Sequence, residues 1–190
     1  RVPAEQYKLV EFYKWKFTSQ WFTKLTNSKS KHDLVLMGRI GFGYLGSYSD
    51  RKGDSPFERF YLGGSGLTGF QLDGREIIAL RGYDDGSLSP TDGSFIVNKY
   101  TAELRFPVSL NPQATIFALG FAEAANAWST ADTYDPFKLY RSAGIGLRLF
   151  LPMFGPMGLD YGWRFDNVPN HPNMAKGQFH FTIGIDLGEL

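Results

Sequence analysis

The chain has 190 residues and no cysteine, which allows one domain with a core of its own and excludes a disulfide-stapled miniature fold. Its 20 basic and 19 acidic side chains leave a formal charge of +1, so no basic face for nucleic acid is implied. No uncharged apolar run approaches the roughly 18 residues of a membrane helix, yet 17 Phe, 10 Tyr, 4 Trp and 22 Gly are an odd load for a water-soluble domain and favour strands and tight turns.

The opening Arg1-Val2-Pro3 lacks the apolar segment of a signal peptide. From there the sequence reads as a series of period-two segments, in which successive side chains fall on opposite faces. In 7–25, Leu9, Tyr13, Trp15 and Phe17 face away from Lys14, Lys16 and Thr18, with Glu11 breaking the apolar parity. In 33–48, Leu34, Leu36, Ile40, Phe42 and Tyr44 share a parity with Gly38, opposite Asp33, Arg39, Gly41 and Gly43. Segment 95–107 alternates Tyr100, Ala102, Leu104 and Phe106 with Thr101, Glu103 and Arg105. Segment 114–128 is the least regular, because Phe121 and Glu123 share a parity; a bulge would reconcile them. Segment 139–151 sets Ala143, Ile145, Leu147 and Leu149 against Ser142, Gly144, Gly146 and Arg148. Segment 156–165 sets Leu159, Tyr161, Trp163 and Phe165 against Asp160, Gly162 and Arg164. In 177–187, Phe179, Phe181, Ile183, Ile185 and Leu187 oppose Gln178, His180, Thr182, Gly184 and Asp186.

Seven strands separated by turn signals, with no sustained helical period, predict an all-β antiparallel meander. A soluble sandwich or lipocalin-like barrel would show the same alternation. Two features favour a transmembrane β-barrel instead. Several segments reach the roughly 9–11 residues needed to cross a bilayer obliquely, and aromatics gather near strand ends (Trp21, Phe22, Tyr44, Phe150, Trp163, Phe165), where an interfacial girdle would lie. Low hydropathy then reflects an average over a lipid face and a polar face. Three scattered histidines (His32, His171, His180) offer no metal set, and no Gly-x-Ser-x-Gly elbow or cofactor motif occurs.

One connection breaks the meander. Residues 49–94 hold aromatic, Leu and Ile residues that need something to bury against, so a functional loop is expected rather than a disordered one. Its strings Glu58-Arg59-Phe60-Tyr61-Leu62-Gly63-Gly64 and Leu80-Arg81-Gly82-Tyr83 resemble the extracellular loop of the BamA family, whose Arg-Gly-Phe/Tyr tip folds back into the barrel lumen. The similarity continues in order through Ala102 to Phe106, Gly120 to Trp128, Arg141 to Leu147 and Phe179 to Leu187. Two departures stand out: a second Gly-Phe at Gly69-Phe70, where Thr68 cannot supply the cation, and Leu187 in place of a terminal aromatic.

The resemblance implies that 1–190 is the C-terminal part of a 16-stranded barrel, with about 7–8 strands present, since single-chain barrels close with an even count. It implies a lumen-folded loop anchored by Arg81 on Glu103 and Glu123, the guanidinium gripping a carboxylate bidentately. Gly63, Gly64, Gly69 and Gly82 would permit positive φ or close backbone approach. The terminal strand, Phe179, Phe181, Ile183, Gly184, Ile185 and Leu187, would form one side of a weak lateral edge. The implied function is non-enzymatic, without cofactor: assembly and insertion of β-barrel proteins in the bacterial outer membrane. The implied partners are the bilayer, unfolded barrel clients and lipoprotein subunits of an assembly machine. A polypeptide-export barrel of two-partner type, or the barrel of a surface lipase, shares the loop motif and remains open.

Overall fold

A computed structural model describes residues 11–26, 33–48, 55, 58–64, 76–152, 155–168 and 171–183. Seven strands form one antiparallel sheet: β1 (Phe12–Lys24), β2 (Val35–Ser47), β5 (Ile96–Asn111), β6 (Ala114–Trp128), β7 (Tyr140–Leu151), β8 (Gly155–Arg164) and β9 (Gly177–Ile183). Each strand pairs with the next in that order, so the meander read from period two is the one that forms. Among the described residues no helix is long and apolar enough to cross a membrane.

The two faces differ sharply. Outward lie Phe17 (60% exposed), Ile145 (61%) and Phe179 (81%), with Leu104, Leu147 and Leu159 between them. An apolar row on every strand of a sheet is more bare hydrophobic surface than a monomer keeps in water, and it suits a lipid-facing wall. Inward lie Lys14, Arg39, Lys99, Glu103, Glu123 and Asp160, and this face is covered by the long connection.

The expected bulge is elsewhere. β6 runs in unbroken register against β7 through Phe121 and Glu123, both inward. The irregularity falls between Pro107 and Ser109 of β5, where proline has no N–H to donate to the ladder. Phe121 faces inward because a cation occupies its ring, as described below.

The long connection contains two short strands that alternation did not foretell. β3 (Phe60–Leu62) and β4 (Glu76–Ile78) pair in parallel, and Phe60 also bridges Ser94. Together with Leu80 and Tyr83 they bury Phe60, Leu62 and Ile78 against Leu45, Val97 and Ala125 of the wall. This is the protein's core: loop against sheet, not sheet against sheet. Gly43 of β2 makes room for it, because a Cβ there would come within 2.8 Å of the Phe60 ring. From the first strand, Lys14 binds Glu58 at 3.0 Å and Glu76 at 2.7 Å, so β1 holds the loop from the opposite side.

Candidate functional site

The loop tip, Leu80-Arg81-Gly82-Tyr83, rests on five strands. Leu80, Arg81 and Tyr83 are at most 1% exposed. Arg81 Nη2 donates to Glu103 Oε1 of β5 and Glu123 Oε1 of β6, both at 2.8 Å, while Nη1 lies 3.5 Å from Asp160 Oδ1 of β8. The Arg81 backbone N–H donates to the second Glu123 oxygen at 3.0 Å. The guanidinium carbon sits 3.6 Å from the centre of the Phe121 ring, a close cation–π contact.

The bidentate grip expected of Arg81 does not form. The fork is shared among three acids because Glu103 and Glu123 are two residues out of register, Glu103 pairing Phe121 and Glu123 pairing Thr101. One nitrogen therefore meets one oxygen from each strand, and the other Glu123 oxygen is taken by the loop backbone.

Further cations complete the cluster. Arg105 binds the second Glu103 oxygen at 2.7 Å, Arg148 binds Asp160 at 2.8 Å and Lys99 lies 3.7 Å from Glu123. Every carboxylate thus meets more than one cation, which is what permits three buried anions. Burial alone would pull the Arg81 guanidinium down, but the carboxylates of Glu123, Glu103 and Asp160 outweigh it and hold it above its ordinary value.

Glycine makes the approach possible. Gly82 has φ +92°, in the left-handed region, and a Cβ there would lie 3.1 Å from Arg164 N and 3.2 Å from the Gly162 carbonyl carbon. From the wall side, a Cβ on Gly162 would lie 2.7 Å from Gly82 N. Loop and β8 therefore meet backbone to backbone, and the Gly82 N–H reaches past β8 to His180 Nε2 of β9 at 2.7 Å.

Tyr83 closes the tip, its hydroxyl donating to the Arg141 carbonyl at 2.8 Å. Burial pushes the phenol up to about 12. Because the folded-state value lies above the usual tyrosine value of about 10, this bond is fully present below pH 10 and is lost as pH rises through 12. Tyr83→Phe is expected to lower the stability of the docked loop by about 1 kcal/mol between pH 7 and 9. That difference from the parent should vanish between pH 10 and 12, read as converging urea midpoints.

Of the other residues singled out from sequence, Gly63 (φ +125°) and Gly64 (φ +79°) turn the chain after β3, packed against Asp84 and Asp85. Phe179, Phe181 and Ile183 project outward from β9, away from the tip. Gly69, Gly184, Ile185 and Leu187 lie outside the described residues. Sequence reasoning missed Asp160, His180 and Phe121, and placed Arg148 on the polar face without tying it to the loop. The available signal was the run of inward glycines, Gly144, Gly146 and Gly162, which marks where another backbone or a large side chain comes close.

A family model described as the Omp85 superfamily domain matches residues 6–187, nearly the whole chain. The chain has no match among curated proteins.

Proposed function

Because the chain belongs to the Omp85 superfamily, whose members are outer-membrane β-barrels of insertion or secretion type, we propose that it is the C-terminal part of an assembly barrel of the BamA kind. It inserts client β-barrel proteins into the bacterial outer membrane. The observation that supports this reading is the firm docking of the Arg81 loop on β5, β6 and β8, beside β9, the strand that the reading takes as the lateral edge. An edge of unpaired N–H and C=O groups templates another strand, and lipid forbids such groups to stay unpaired. A client strand entering beside β9 satisfies both demands at once, and the client's own folding supplies the driving force without nucleotide or chemical step.

On this reading the partners are the outer-membrane bilayer, unfolded barrel clients and the lipoprotein subunits of an assembly machine. The barrel forms no covalent intermediate and is not an enzyme. The test is conditional depletion of the full-length protein in its own cells. A general fall in heat-modifiable outer-membrane barrels is the expected result. Normal barrel levels, with loss of one secreted polypeptide only, would assign the chain to export instead.

A further inference from the structure

We propose that His180 and Gln178 are positioning residues through which the loop tip latches the terminal strand to the wall. The inference rests on the reading of β9 as the lateral edge and names what holds that edge in place. Two side chains of β9 point inward onto the loop. His180, 4% exposed, accepts the Gly82 N–H at 2.7 Å, and Gln178 Nε2 donates to Asp84 Oδ1. His180 is therefore the neutral tautomer with its proton on Nδ1, since only an unprotonated Nε2 accepts.

Beyond its ladder with β8, β9 meets the wall from outside through Phe179, 81% exposed, on the Tyr161 ring at 4.7 Å. The latch is also wired to the anchor. Asp160, the Arg81 partner on β8, is the register partner of His180. Glycine at 162 is what lets Gly82 pass close enough to reach β9. Arg81 thus fixes the tip on β5, β6 and β8, and Gly82 and Asp84 carry that fixation to β9. A loop seated in the lumen holds β9 against the wall; a lifted loop releases it.

Hydrogen–deuterium exchange of the 177–183 amides, measured on the full-length protein in bilayers, tests this. His180→Phe keeps a ring but removes the acceptor and should speed exchange about tenfold, the scale of one or two lost hydrogen bonds. His180→Gln places a carbonyl oxygen where Nε2 was and should return exchange to within about twofold of the parent. Gln178→Leu, which leaves His180 in place, should speed exchange by a smaller factor and serves where His180→Phe does not fold to a heat-modifiable barrel. In an Arg81→Ala background His180→Phe should add nothing. Unchanged exchange in both single variants, or equal acceleration in His180→Gln and His180→Phe, would overturn the latch. Client insertion enters none of these readouts, so the latch and the assembly reading fail separately.

Discussion

Arg81→Ala is expected to destabilise the barrel by about 3–5 kcal/mol, the usual cost of removing one partner from a buried ion pair, and to lift the loop from the wall. The size follows from what remains. Without the guanidinium, the cation that Glu123 keeps among the described ion pairs is Lys99, at 3.7 Å. Glu103 and Asp160 keep Arg105 and Arg148, so the loss should fall toward the lower end of that range. Phe121 also loses the cation on its ring. Arg81→Lys should recover only part of the loss, because one ammonium cannot span carboxylates on β5, β6 and β8 or stack on the ring as a planar group does. Urea unfolding in bilayers gives the stability term. Protease cutting within 49–94 reports whether the loop has left the wall.

The second large effect comes from the wall rather than the loop. Gly162→Ala puts a Cβ 2.7 Å from Gly82 N and 2.9 Å from the Arg81 carbonyl carbon. Both atoms are backbone, so no side chain can swing aside. The loop must shift away from the wall, which breaks the Gly82 to His180 bond and misaligns Arg81 with its acids. An overpacking cost of about 1–3 kcal/mol is expected, together with loop cleavage like that of Arg81→Ala. Combining the two variants should cost clearly less than their sum, because both report the same undocking. Additive losses would mean that Gly162 serves β8 alone.

How much of this was legible depends on distance along the chain. Local alternation was enough for the seven-strand sheet: β6 begins and ends at 114 and 128 as read, β7 differs by one residue at its start and β8 by one residue at each end. The pleat forces a period of two, and a lipid face opposite a polar face makes it visible. The β3–β4 pair was not legible, because three-residue parallel strands leave no period to read and owe their pairing to the Phe60, Leu62 and Ile78 core beneath them. Parity also misled at Phe121, where an aromatic on the polar face suggested a bulge until the Arg81 contact explained it. At the site, the convergence of Arg81 with Glu103 and Glu123 was reached through a family resemblance, not through spacing. Asp160 and His180 were visible only as polar positions on two strands, and nothing local says which inward side chain meets a loop arriving from about 80 to 100 residues away.

The anchoring of the loop by Arg81 is tested most directly by a double-mutant cycle on the intact barrel, with Arg81→Met and Glu123→Gln singly and together, unfolded in urea within bilayers. Contact at 2.8 Å between buried groups should give a coupling energy of about 1–3 kcal/mol, the double variant costing less than the two singles combined. Losses that add to within about 0.5 kcal/mol would contradict the anchor and leave the loop held by its apolar core and its other polar contacts.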